Sequence, residues 1–498
     1  MQKQTEQLKK KAAEIADFKN ALSVLQWDQE VNMPAQGASS RSQIISTLSS
    51  HLHRLQTSNE LEELLNEVAS KNPDDFKTRR NAELMLERMQ KTKKFSEEFV
   101  SRMNKTTSEA FLKWKKAKEE NDFAQFAPHL EKIVDLNLES AEIIGYEEHP
   151  YDALLDGFDK GLTIKKTDQV FEQIREPIIN LVNELRESPQ PDRSFLQQKF
   201  DLKKQMDLCK EIVSDLGYDF NAGRLDLAPH PFSTSFGPGD NRITTRLEEG
   251  DIMDGILSSI HETGHALYDQ NLDASQYGLP GGEPASMSIN ESQSRLYENH
   301  IGRSFAFISA FHEKLAHYFP DAFKNITPEQ IYRAVNITEP SFVRTAADEL
   351  TYHLHIIIRY ELEREMIEKS LKPADVKDAW NEKYNKYLGI KVPDDRQGVL
   401  QDVHWSHGAF GYFPTYSLGS LYSAQFYAEA EKQISGLTGK LEQKQFTPLL
   451  NWLRENIHQH GKLYNSGDLA KKVTGEELNP QHFLNYAREK FKWVYENA

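Results

Sequence analysis

The segment Asp251 to Gln270, DIMDGILSSIHETGHALYDQ, constrains this chain more than any other stretch. Ile252, Met253, Ile256, Leu257 and Ile260 recur at helical spacing, so the segment reads as one amphipathic helix. Asp251 is placed to cap its first turn, and Gly250 marks the break before it. The period runs on into His261-Glu262-Thr263-Gly264-His265, an H-E-x-x-H motif. On a helix His261 and His265 stand one turn apart on one face. Two imidazoles so placed can grip one zinc ion, with Glu262 beside them as the general base toward activated water. Without a third ligand the same pattern is only an amphipathic helix with two satisfied histidines.

That ligand has to be a carboxylate or a histidine. The chain holds a single cysteine, Cys209, so neither a cysteine metal cluster nor an intramolecular disulfide can form. Glu283, Glu291 and Glu298 lie downstream at suitable distances. Glu283 sits beside Pro284 in a glycine-rich loop, Tyr277 to Gly282, and is less well fixed. Glu291 opens a polar, helix-like stretch, Ser288 to Asn299, far enough on for a second helix to pack against the first. We therefore take Glu291 as the third ligand. A His₂Glu set leaves one coordination position open, as catalytic zinc requires.

The rest of the chain reads as mainly α. Residues 1 to about 215 run helix after helix, with Leu61, Leu64, Leu65 and Val68 typical of the apolar spacing. Pro34 with Gly37, Asn72-Pro73, His149-Pro150 and Ser188 to Pro191 are the breaks, and none is long enough for a domain linker. Between Gly217 and Gly250 glycine and proline become frequent, and the alternation around Arg242-Ile243-Thr244 predicts short strands, a small sheet just before the motif helix. Thr327-Pro328-Glu329-Gln330 carries a capping box. Thr447-Pro448 opens another helix, which Gly461 is placed to close. The expectation is a single domain over 1–498, with an N-terminal helical part (1–215) and a part carrying the metal site (216–498). His51 with His53, and His458 with His460, lack a matching carboxylate context and read as surface or cap residues.

Charge excludes some partners. The net charge is −16, from 60 Lys and Arg against 76 Asp and Glu, which argues against general nucleic-acid binding. The first residues, MQKQTEQLKKKAAEIADF, are charged throughout and lack the apolar core of a signal peptide. No apolar run reaches the roughly 18 residues of a membrane span. The expected setting is the cytoplasm.

One further stretch breaks the helical pattern: GVLQDVHWSHGAFGYFPTYSLGS, Gly398 to Ser420, dense in glycine, aromatic rings and histidine. Such a loop is more often functional than connective. With it the motifs form an ordered series: Trp27-Asp28-Gln29 with Met33-Pro34, His230-Pro231-Phe232, Asp240-x-Arg242-x-Thr244, the H-E-x-x-H, Glu291-Ser292-Gln293, Arg344-Thr345-Ala346-Ala347-Asp348, and Gly398-x-x-Gln401-Asp402-x-His404-Trp405. This series resembles the carboxypeptidase Taq family of metallocarboxypeptidases (peptidase family M32), nearly end to end. One departure is Asn290, where the family more often carries His before the ligand Glu.

The resemblance implies a large helical zincin-type peptidase with a deep active-site groove, broad removal of residues from peptide C-termini by zinc-activated water, and a homodimer. The alternative is a related helical metallopeptidase with oligoendopeptidase or dipeptidyl carboxypeptidase specificity. Zinc is the default for the ligand set, and cobalt or manganese would fit the same ligands. A carboxypeptidase has to recognise a terminal carboxylate, which a planar guanidinium does best. The family pattern favours Arg344 for this, with Asp348 as its partner, and Arg242 and Arg246 as rivals. His407, Tyr412 and Tyr416 are candidate donors to the oxyanion of the tetrahedral intermediate. Gln401 and His404 would bind the substrate backbone or brace the loop, and His230 would reach a substrate carbonyl.

Overall fold

The computed structural model describes residues 2–71 and 74–496; the break at Asn72-Pro73 lies outside them. Helices dominate, and three short strands form the one named sheet among the described residues. The chain divides into two compact units, each woven from three segments: 1–93, 192–335 and 426–477 in the first, 94–191, 336–425 and 478–498 in the second. Among the described residues no helix is long and apolar enough to cross a membrane.

In the first unit the sheet runs in the order β1 (Leu225–Leu227), β3 (Asn241–Thr245), β2 (Ser233–Ser235). β1 pairs with β3 in parallel and β2 pairs with it antiparallel, Ser233 opposite Ile243. Only β3 is long enough to show alternation in sequence. Two of the sequence motifs meet across this sheet. The Thr244 hydroxyl accepts from the Phe232 N–H at 2.9 Å, tying Asp-x-Arg-x-Thr to His-Pro-Phe. Arg242 is gripped by Asp240 through two 2.8 Å bonds and lies 4.4 Å over the Trp27 ring. Arg246 pairs with Asp254 at 2.9 Å.

The helix Ile252–Gln270 starts as expected, with the Asp251 side chain accepting from the Asp254 N–H. It rests on β3 through Thr245, whose hydroxyl donates to the Gly255 carbonyl at 3.2 Å and accepts from Ser259 at 3.0 Å. It also packs against the helix Met287–Arg295, capped by Ser286. The two approach closely because position 264 is glycine: a Cβ there would lie 2.5 Å from the Gln293 carbonyl oxygen and 2.6 Å from Ser294 Cα.

Beyond Arg295 the helix does not continue as an α-helix. Residues Leu296–Gly302 form a π-helix, closed by the Arg303 N–H donating to the Glu298 carbonyl. Two further details differ from the sequence reading. The helix opened by Thr447-Pro448 ends at Asn456, and Gly461 sits instead in the following 3₁₀ segment at φ 50°. There a Cβ would lie 2.1 Å from the Gly281 carbonyl oxygen, so glycine is required by close packing rather than as a helix stop. His458 is not a surface residue: it is fully buried, with Nε2 against Gln293 Oε1 at 2.9 Å. The capping box is as read, Thr327 and Gln330 exchanging bonds of 2.9 and 3.2 Å.

Candidate metal centre

In the first unit, His261, His265 and Glu291 each direct a ligand atom to one place, all three atoms lying within 4.8 Å of one another. Glu291 Oε2 is 3.8 Å from His261 Nε2 and 3.5 Å from His265 Nε2. The outer ring nitrogens are taken. His261 Nδ1 bonds Glu298 Oε2 at 2.8 Å, and His265 Nδ1 bonds Asn290 Oδ1 at 3.1 Å. Both partners are acceptors, so both Nδ1 atoms carry the hydrogen and both Nε2 lone pairs face Glu291. That is the tautomer and orientation that imidazole ligands of a divalent ion adopt, each with an oxygen behind it. The residues present therefore fit a metal.

The electrostatics agree with the geometry. Burial would raise the Glu291 carboxyl, but Arg295 at 2.7 Å and the two imidazoles hold it well below the usual carboxylate range. Burial would likewise raise Glu298, yet Arg295, His261 and Arg303 hold it down at about 2. Glu262 is 6% exposed, and burial pushes its carboxyl above the ordinary value against the opposing pull of the His261 and His265 imidazoles. Two carboxylates kept ionised and one kept basic suit two ligand-side roles and one base.

Glu298 was available to sequence reasoning only as a rival third ligand. Its place behind His261 depends on the π-helix, whose i→i+5 register cannot be read from residue spacing. Asn290 supplies the oxygen behind His265.

The second unit gathers most of the remaining candidates. Arg344 is buried, 7% exposed, and Asp402 Oδ1 accepts from its Nε at 3.0 Å and Nη2 at 2.8 Å. Its Nη1 donates to the Tyr352 hydroxyl at 3.2 Å. Asp348 is not its partner: it accepts from the backbone of Glu339, Leu350 and Thr351 at the start of the helix Thr351–Ile367. The fully buried Arg359, which sequence reasoning missed, shares Asp402 through Oδ2 at 2.6 Å. Two guanidiniums thus meet one carboxylate, and this contact cluster keeps one unit of positive charge.

Gln401 is a brace in this network. Its oxygen accepts from the Arg344 N–H at 2.8 Å and Arg359 Nη2 at 2.7 Å, while its amide donates to the Phe342 and Gln397 carbonyls. His404 Nε2 meets the Tyr416 hydroxyl at 3.2 Å, and burial brings the ring down to about 4, so it is neutral. Tyr412 and Tyr416 stack edge-on at 5.0 Å. His407 is exposed beside Phe111, ring to ring 5.2 Å. His230 belongs to the first unit, exposed on the turn before β2.

The sequence model of the carboxypeptidase Taq (M32) metallopeptidases matches residues 7–491. The chain belongs to this family. It is 40% identical over 484 residues to carboxypeptidase 1 of Bacillus subtilis, covering 97% of this chain and 96% of that one. It is 38% identical over 477 residues to thermostable carboxypeptidase 1 of Pyrococcus furiosus, covering 95% of each. An M32 carboxypeptidase from Deinococcus radiodurans R1 has the same fold, with a TM-score of 0.97 at 38% identity, covering 99% of this chain and 100% of that one. The protein is thus a metallocarboxypeptidase, and the mainly helical fold with a small sheet expected from the sequence is the one observed.

Proposed function

We propose that the protein releases single residues from peptide C-termini with broad specificity, using zinc held by His261, His265 and Glu291. The observation that carries the reading is the convergence of the two Nε2 atoms and Glu291 Oε2, with both Nδ1 atoms held from behind. A divalent ion bound there supplies Lewis acidity, lowering the pKa of water and polarising the scissile carbonyl.

The chain's own groups do the rest. Glu262 takes a proton from the attacking water as oxygen adds to the carbonyl carbon. It then passes that proton to the amine nitrogen as the C–N bond breaks. His407, Tyr412 and Tyr416 donate to the oxyanion. His230 contacts an upstream carbonyl, and His404 orients Tyr416 through their shared bond. Arg344 binds the terminal carboxylate. A guanidinium offers five N–H donors, and three bonds to Asp402 and Tyr352 occupy three of them. The remaining donors, and the positive charge left over after Asp402, favour an anionic ligand. The protein acts as one peptidase domain and as a homodimer, the latter tested by its mass in solution.

The test compares an N-blocked tripeptide with its C-terminally amidated form. The free acid is expected to be cleaved at least about 100-fold faster, because a buried charged pair left unmade costs about 3 kcal/mol or more. Arg344→Ala should erase most of that ratio. Equal cleavage of acid and amide would favour the oligoendopeptidase alternative instead.

A further inference from the structure

We propose that Glu363 is a positioning residue of the carboxypeptidase, holding the loop of His407 and Tyr412 in its working geometry. The inference rests on the catalytic reading of that loop given above. Glu363 lies on the helix Thr351–Ile367 and is fully buried. Its carboxylate meets three donors. Oε1 accepts from Trp405 Nε1 at 2.8 Å, and Oε2 accepts from the Gly411 N–H at 2.8 Å and the Tyr151 hydroxyl at 2.6 Å.

Two of these donors lie within two residues of the catalytic candidates in the chain. Trp405 stands two residues before His407, inside the 3₁₀ turn His404–His407. That turn is closed by the Gly408 N–H on the Trp405 carbonyl and the Ala409 N–H on the His404 carbonyl. A shift of Trp405 is therefore passed to His407. Gly411 directly precedes Tyr412, whose carbonyl accepts from the Thr415 N–H and hydroxyl as the helix Pro414–Gln433 begins. Gly411 has φ 91°, and a Cβ there would lie 2.9 Å from the Leu154 carbonyl carbon. The loop is thus pressed against the helix Pro150–Phe158, the same helix that supplies Tyr151.

Stability alone does not account for an acid at this place. Burying a carboxylate costs several kcal/mol unless its bonds are complete, and an apolar side chain of the same volume is often no worse. Burial pushes this carboxyl up to about 7 despite its three donors. What an apolar residue cannot do is accept from an indole N–H and a backbone N–H six residues apart in the chain, as this one carboxylate does.

Glu363→Gln keeps the volume but not the function, since its amide end has to face at least one of the three donors. The expected result is a fall in kcat on the order of 10- to 100-fold with KM changed little, the size expected for misplaced catalytic groups. Metal content should be unchanged. Tyr151→Phe removes the donor that does not belong to the loop and should leave kcat near wild type, even where it lowers Tm as much as Glu363→Gln does. Trp405→Phe should reproduce the kcat loss and add little to Glu363→Gln in the double variant. Wild-type kcat in Glu363→Gln overturns the proposal, as do parallel losses of kcat and Tm in Glu363→Gln and Tyr151→Phe. The double variant His407→Ala with Tyr412→Phe separates the levels. If it turns over normally, the loop is not catalytic and the positioning role falls with it. If it is impaired while Glu363→Gln is not, only the role of Glu363 falls.

Discussion

Replacing Glu298 by Gln tests how the metal centre is held without touching a ligand. Glu298 Oε2 lies 2.8 Å from His261 Nδ1, and the side chain is only 13% exposed, so the bond is charge-assisted and poorly screened. The same oxygen accepts from Arg295 Nη1 at 3.0 Å, and Arg303 stands 3.7 Å from the other oxygen. Removing the negative charge makes His261 a weaker base. It also leaves Arg295 free to pull harder on Glu291, which it already holds at 2.7 Å. Both effects oppose a cation. Losing a partner behind a metal-bound histidine costs about 10- to 100-fold in affinity, or about 1.4–2.7 kcal/mol. Asn290→Ala removes a neutral acceptor at 3.1 Å and should cost less. Competition between metal-free protein and a chromophoric chelator at fixed pH measures both. An unchanged dissociation constant in Glu298→Gln, or a larger effect from Asn290→Ala, would mean that the carboxylate behind His261 does not support the metal.

Two other sites give independent expectations. Gly264→Ala forces a Cβ against Gln293 and Ser294, driving apart the helices that carry His261, His265 and Glu291. It should destabilise the metal-free protein by about 1–3 kcal/mol and weaken metal binding, and an unchanged Tm would exclude the close approach. Glu283 is bonded twice by Arg88 and flanked by Lys19 and Lys462; burial would raise its carboxyl, but these cations hold it at about 2. A carboxyl depressed on folding stabilises above its unfolded pKa, and that stability is lost as pH falls through the folded value. Glu283→Gln should therefore cost up to about 3 kcal/mol near neutral pH, with the gap from wild type closing below about pH 4. Urea midpoints across that range check it, and a gap that widens with acid would contradict it.

The parts of the site that the sequence revealed are those governed by local rules. The Asp251 cap, the helical period and the one-turn spacing of the histidines all act within a few residues, and the structure keeps them. Glu291 needed only the expectation that a second helix packs on the first. Two of the failures share one cause, which is that a partner far along the chain displaced a near one. Arg344 has Asp348 four residues away in sequence but pairs with Asp402. His458 looks like half of a surface pair with His460, yet its bond goes to Gln293. The strands β1 and β2, three residues each, are too short for alternation to show. Glu298 escaped for another reason, since its direction is set by a change of helical register.

In the proposed mechanism His261, His265 and Glu291 hold the metal while Glu262 only moves the proton. Glu262→Gln separates the two roles, because the isosteric amide cannot accept a proton. Metal content by elemental analysis and turnover of an N-blocked peptide should then part company, with the metal retained and kcat reduced by at least about 100-fold. Undiminished turnover in the metal-loaded variant would contradict the assignment of Glu262, and loss of the metal would contradict its separation from the ligand set.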